Sequence, residues 1–259
     1  MELFDTHAHL DQSEFDADRA EVVARAREAG VAEIIAIGTT ADTSAICVRL
    51  TAEFEGLYAA VGMQPNYIAE AEPGDWDRVV ALVDEPGVVA IGETGLDRYW
   101  DFTPFETQQD YFDRHLRLSQ ERGLPFVVHM RDCDDDILAM LREAHQRGPL
   151  AGVMHSFTGS QAMADECLEM GLNISFAGMV TFKKSDELRA IAATVPADRI
   201  LVETDSPYLS PEPVRKFKRN EPAHVHHTAG CLAAVRGVSL DEFATRSTAN
   251  ARRLFSTSR

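Results

Sequence analysis

The segment Ile200-Leu201-Val202-Glu203-Thr204-Asp205 passes from a short apolar, β-branched run directly into two carboxylates. Read as a buried strand, Ile200–Asp205 delivers its acidic groups to the carboxyl-terminal edge of a sheet. The same design recurs upstream. Val88–Glu93 ends on Glu93, Pro125–Met130 carries His129, Gly152–Phe157 carries His155, and Glu2–Asp5 runs into His7 and His9. Three further runs, Ala32–Gly38, Tyr58–Gly62 and Asn173–Gly178, bring the predicted strands to eight.

Amphipathic stretches between these runs predict helices near 16–29, 42–54, 75–85, 105–122, 134–146, 160–170 and 185–194, with two more near 225–236 and 240–252. Asp16, Asp42 and Ser160 read as N-caps, and Ser239 with Glu242 as a capping box. Gly30, Gly123, Gly148 and Gly171 fall where helices should stop. Alternating strands and helices imply a parallel sheet, and eight strands close a barrel of about 250 residues. The expectation for this chain of 259 residues is therefore a single catalytic α/β domain, a (β/α)8 TIM barrel over 1–259. A doubly wound open sheet is the rival that strand count alone leaves standing.

The formal net charge of −17 argues against a general electrostatic footprint for nucleic acid. A polyanionic substrate must then be held by bound cations or by a local basic patch. One such patch exists: Arg215, Lys216, Lys218 and Arg219 crowd into five positions after the last strand. Cys47, Cys133, Cys167 and Cys231 form no C-x-x-C pair, which predicts free thiols in a reducing compartment. With no signal-like start and no long apolar run, the expectation is a cytoplasmic protein with no membrane contact and no evident obligate protein partner.

In a barrel the carboxyl-terminal strand ends share one mouth, so His7, His9, Glu93, His129, His155 and Asp205 become neighbours. Strand alternation puts His7 with His9, His129 with Arg131, and Glu203 with Asp205 on common faces. Each residue alone has an ordinary structural explanation, as a packed histidine, a salt-bridge partner or a cap. Six at the same kind of position point to metal. Four imidazoles and two carboxylates suit Zn, Mn, Fe or Co, and Mg if waters complete the shell. Six ligands exceed the needs of one tetrahedral ion, which favours two, with Glu93 central enough to bridge them. His115 and His145 lie inside predicted helices and read as packing or surface residues. The cluster His224, His226 and His227 reads mainly as a helix start. Cys133 follows His129 as a pocket-lining candidate.

The segments DTHAHL (5–10), GETGLD (92–97), HMRD (129–132), HSFTG (155–159), ETDSPYL (203–209), KRNEP (218–222) and STANARRLF (247–255) resemble the TatD family of metal-dependent deoxyribonucleases, in that family's order. The resemblance implies a barrel of the metallo-dependent hydrolase type with two divalent ions (Mg, Mn or Zn). Its ligands would be His7, His9, Glu93, His129, His155 and Asp205. It also implies removal of nucleotides from the 3′ end of single-stranded DNA, with Glu203 assisting proton transfer. Where relatives carry an Arg-Gly-Lys type sequence, this chain has Val214-Arg215-Lys216-Phe217-Lys218-Arg219.

The mechanism expected on this basis has a water at the ions lose its proton to Asp205, aided by Glu203. It then attacks phosphorus in line with the leaving 3′ oxygen. Arg131, Arg215, Lys216, Lys218 and Arg219 are the candidates for holding phosphates, with Tyr208 or Phe217 as a face for a base. A small-molecule amidohydrolase or lactonase, or an esterase on nucleic acid such as a D-aminoacyl-tRNA deacylase, would fit the same ligands. A non-enzymatic binding role predicts lost ligands, and all six are present.

Overall fold

The computed structural model describes residues 1–257. Eight parallel strands are hydrogen-bonded in chain order: β1 (Leu3–Ala8), β2 (Val31–Ile37), β3 (Leu57–Val61), β4 (Val88–Asp97), β5 (Phe126–Arg131), β6 (Gly152–Met154), β7 (Asn173–Phe176) and β8 (Ile200–Val202). The ring is joined just past β8, where Asp205 N donates to His7 O at 2.9 Å and His9 N donates to Ser206 O at 2.7 Å. This seam decides for a (β/α)8 barrel over an open sheet. Around it lie α1 (Arg19–Glu28), α2 (Ala41–Glu53), α3 (Asp75–Leu82), α4 (Phe105–Arg122), α5 (Asp134–Arg147), α6 (Gln161–Glu169), α7 (Asp186–Thr194), α8 (Val225–Val235) and α9 (Leu240–Phe255). Among the described residues no helix is long and apolar enough to cross a membrane.

Two predicted caps are corrected. Asp16 closes a single turn over Ser13–Phe15 and pairs with Arg19 at 2.6 Å, so α1 starts later, after Asp18. Thr40, not Asp42, caps α2: its hydroxyl accepts from Thr43 N at 3.2 Å while Thr43 Oγ1 accepts from Thr40 N at 2.8 Å. That reciprocal pair satisfies two backbone donors at the helix start, where Asp42, two residues after Thr40, is already inside the helix. Ser160 and Ser239 cap α6 and α9, but the expected box at Ser239 is half formed: Glu242 N donates to Ser239 Oγ while the Glu242 carboxylate pairs with Arg246 at 2.8 Å.

Alternation sorts each strand's side chains between two apolar layers. Phe4, Ile35, Ile37, Ala60, Val127, Val153 and Leu201 pack together inside the ring. Their neighbours Ile34, Ala36, Phe126, Val128, Met154, Ile200 and Val202 pack outward against the helices. Helix α9 closes the amino-terminal end of the barrel. Phe255 lies 6.3 Å from the Phe4 ring, Thr248 Oγ1 donates to Glu2 O, Asn250 Nδ2 donates to Ala197 O and Ile200 O, and Arg252 pairs with Glu33 at 2.6 Å. The STANARRLF segment is thus the plug of the barrel floor.

Register shifts occur between Leu3 and Phe4, between Ala59 and Ala60, and at two further places that matter for the site. Between Asp5 and Ala8, β1 spends three steps where β2 spends two, and between Ile91 and Thr94, β4 does the same against β5. Such bulges re-aim side chains, and both fall on strands that carry candidate ligands.

Candidate metal centre

The six predicted ligands meet at the carboxyl-terminal mouth. His7 Nε2 and His9 Nε2 stand 3.2 Å apart. Asp205 Oδ1 lies 3.4 Å from His9 Nε2 and 3.6 Å from His7 Nε2. Glu93 divides its oxygens: Oε2 is 3.4 Å from His7 Nε2 and 3.6 Å from His9 Nε2, whereas Oε1 is 3.0 Å from His129 Nδ1 and 3.3 Å from His155 Nε2. Two overlapping groups, His7–Glu93–His155 and His7–His9–Asp205, have ligand atoms mutually within 4.8 Å.

These spacings fit divalent ions better than hydrogen bonds. Most exceed a good N–H···O distance, and two imidazole nitrogens face each other. Ligands about 2.1 Å from a shared tetrahedral cation stand about 3.4 Å from one another. Three of the four outer ring nitrogens are held from behind, which leaves the inner ones aimed at the centre. His9 Nδ1 meets Ile37 O at 3.1 Å, His129 Nε2 meets Asp97 Oδ2 at 2.9 Å, and His155 Nδ1 meets Glu203 Oε1 at 3.3 Å. Among the described residues buried His7 Nδ1 has no hydrogen-bond partner, and its ring stacks on His155 at 4.0 Å.

Local backbone explains the placement. Glu93 does not end its strand, as the sequence reading expected, because β4 continues to Asp97. It sits in the bulge and donates its N–H to Gly38 O at 3.1 Å. Gly95, at φ 134, lies so close to β5 that an added Cβ would stand 2.0 Å from His129 O. Glycine there lets the two ligand strands touch. Past β8 the alternation reading also fails. The strand stops at Val202, and Asp205 takes φ 55, a left-handed conformation that Asp tolerates. Asp205 therefore turns toward His7 and His9, while Glu203 goes behind His155 and accepts from Ser156 N at 2.6 Å.

The group is electrostatically self-compensating. Burial opposes charge on His9, but the Asp205 contact and the Glu93 charge outweigh it and hold the imidazole up to about 9. Burial likewise opposes the charge on His155, which Glu93 and Glu203 nonetheless keep well above the usual range. Against the same burial, His155 and His129 hold Glu93 well below the carboxylate range, and His9 and His7 lower Asp205. Cations entering such a centre must displace protons.

Two supporting acids escaped the sequence reading. Asp97 accepts from Asn66 Nδ2 at 2.9 Å besides holding His129, and is kept down to about 2 against burial by those bonds. Its signal was an acid at a strand's carboxyl end, masked because β4 was expected to stop at Glu93. Asp5 fastens the seam, accepting Thr204 N at 2.8 Å and Thr204 Oγ1 at 2.6 Å, and burial pushes it up to about 8.

Of the substrate-binding candidates, Arg219 is paired within the chain. Its guanidinium bonds Asp18 at 2.6 and 2.7 Å, which commits it to fastening the loop beside α1. Asn220 in the same motif donates to Thr204 O at 3.0 Å and Tyr208 O at 2.7 Å, and Glu221 pairs with Arg25 at 2.7 Å. Arg215, Lys216 and Lys218 are exposed, with Arg215 over the Phe182 ring at 3.9 Å. Tyr208 places its ring edge-on to His9 at 6.0 Å, and Arg131 lies over Tyr99 at 3.7 Å. Cys133 donates to Leu96 O at 3.1 Å and burial drives it to about 12, which disqualifies it as a nucleophile. His224 and His226 are taken up by Asn220 Oδ1 and Ala223 O.

Residues 4–256 match the TatD related DNase family. The chain belongs to that family. A metal-dependent hydrolase of Bacillus subtilis (strain 168), YabD, is 38% identical over 98% of both chains. A protein of Klebsiella pneumoniae (strain 342) named 3′-5′ ssDNA/RNA exonuclease TatD is 37% identical, covering 98% of this chain and 97% of its own. Among solved structures, the TatD homologue YjjV of Escherichia coli K12 superposes with a TM-score of 0.91 at 30% identity, over 99% of this chain and 98% of its own. As a TatD-related chain with these donors, the protein is a metal-dependent hydrolase.

Proposed function

We propose that the protein hydrolyses phosphodiester bonds of DNA, shortening single strands from the 3′ end with two divalent ions (Mn, Zn or Mg) held in the mouth. The observation that carries this reading is the division of Glu93 between two imidazole pairs, one oxygen to each. His7, His9, Asp205 and Glu93 Oε2 would hold one ion, and His129, His155 and Glu93 Oε1 the other. Two such ions, when bound, activate a water and offset charge on the phosphoryl oxygens.

The remaining roles belong to the chain. Asp205, whose Oδ1 faces His7 and His9, takes the water's proton on its carboxylate. Glu203 acts through His155 and is a positioning residue, which its contacts with the ring and with Ser156 N support. Arg215, Lys216 and Lys218 hold the substrate backbone, the local answer to an acidic surface. The full barrel, 1–259, is one catalytic unit in this reading. Four free cysteines agree with a cytoplasmic setting.

The test uses single-stranded DNA labelled at its 5′ end and protein stripped with a chelator. Addition of Mg, Mn or Zn should give a ladder shortening from the 3′ end, absent while chelator remains. Intact strands under all three metals would overturn the reading.

A further inference from the structure

Among the described residues, the exposed large aromatic rings all lie on loops that follow β3, β4 or β8: Tyr67, then Tyr99, Trp100 and Phe102, then Tyr208 and Phe217. In a ring of eight strands, β4 stands opposite β8, so the aromatic group after β4 faces the basic β8 loop across the centre. Tyr99, Trp100 and Phe102 are 54%, 42% and 59% exposed, far more than packing alone would leave. They are nonetheless ordered against one another. Trp100 and Phe102 stack at 5.1 Å with an 11° interplanar angle, and Tyr99 meets Trp100 edge-on at 4.8 Å. Arg131 lies over Tyr99 at 3.7 Å and near Trp100 at 5.8 Å, and forms no ion pair among the described residues.

One carboxylate fastens this group to the metal centre. Asp97 Oδ1 accepts from Tyr99 N at 2.9 Å and Trp100 N at 3.0 Å, while Oδ2 holds His129. The backbone that carries Tyr99 and Trp100 is therefore tied to a residue that also holds a ligand.

We propose that Tyr99, Trp100 and Phe102, with Arg131, form a stacking station for an unpaired nucleobase of the strand whose phosphodiester sits at the metals. This rests on the nuclease reading and extends it to where the strand lies: across the mouth, from the basic β8 loop to the β4 loop. Flat faces in water suit a base, which offers a π-face whatever its identity. Arg131 supplies a cation for the phosphate beside that base. A duplex has its base faces already stacked and offers none to this station, so the arrangement selects single strands.

The chain has two tryptophans, and Trp76 is half-buried beside Tyr111 and His115, so quenching by a stacked base reports Trp100. With chelator present, so that nothing is cleaved, oligothymidylate should quench the wild type and leave Trp100→Phe unquenched with similar affinity. The wild type should bind oligothymidylate about tenfold or more tightly than an abasic strand of equal length. Trp100→Ala combined with Phe102→Ala should lose that preference. Preference retained in the double variant, or binding without quenching, overturns the station. If quenching and preference hold but no metal supports cleavage, the nuclease reading falls and the station stands. If the double variant cleaves DNA with an unchanged KM, the station falls and the nuclease stands. Saturation by neither strand overturns it as well.

Discussion

The two sides of the mouth are built by different means. On the β1/β8 side, His7, His9 and Asp205 are held by the backbone: the bonds that join the ring run through the ligand residues themselves, with Asp5 locking Thr204 beneath them. On the β4/β5 side, Glu93, His129 and His155 owe their aim to a bulge and to side chains behind them, chiefly Asp97 and Glu203. The first half is rigid because the fold closes there. The second depends on a few polar contacts, and those contacts also carry the loop that faces solvent. Precision on one side and connection to the exterior on the other are thus separated in space.

Glu93→Ala strikes both halves and should have the largest effect, abolishing metal uptake and hydrolysis together; metal content near that of the wild type would undo the bridging role. Asp205→Asn touches only the seam half and should cost roughly 10²–10⁴ in kcat on single-stranded DNA while the His129–His155 half keeps its ion. Equal loss of both ions, measured by metal analysis, would show that the halves are not separable. Asp97→Asn touches only the bulge half and should weaken metal affinity by about 10–100-fold. Reversing Arg215 and Lys218 to Glu together should raise KM for DNA roughly tenfold and flatten its salt dependence, with metal content unchanged.

The smallest effect lies outside both halves, at His115. Burial drives this imidazole from 6.5 down to about 4, and its Nε2 accepts from Met63 N at 3.0 Å. The unfolded chain therefore binds the extra proton between those values. Stability from this group is complete above about 6.5 and is lost as pH falls toward 4, by up to about 3 kcal/mol over roughly 2.5 pKa units. Denaturation midpoints followed down through that interval should fall more steeply for the wild type than for His115→Gln. Parallel slopes would mean that the ring takes up its proton equally in the folded and unfolded chain.

Much of this was legible beforehand because it depends on period and position. Apolar runs gave eight strands, and polar residues at their carboxyl ends named six neighbours separated by up to 198 positions, from His7 to Asp205. What stayed hidden depends on register. A bulge shifts alternation by one, and the sequence marks the one in β4 only by glycine, here Gly92, which reads equally as a turn. For the same reason β4 was cut short and Asp97 lost from view. Glu203 and Asp205 look alike at a spacing of two, and only the left-handed turn at Asp205 parts them. Arg219 looked like its basic neighbours because its partner, Asp18, is distant in sequence.

The seam has a consequence for synthesis. A nascent chain emerges with His7 and His9 first, but the strand that completes the ring follows nearly two hundred residues later, and the helix that plugs its floor comes later still. Until then His7 and His9 lack Asp205 and the seam bonds that run through their own backbones. Completion of the metal centre is accordingly a late event, and a loaded centre certifies that the first and last strands of the barrel have found each other.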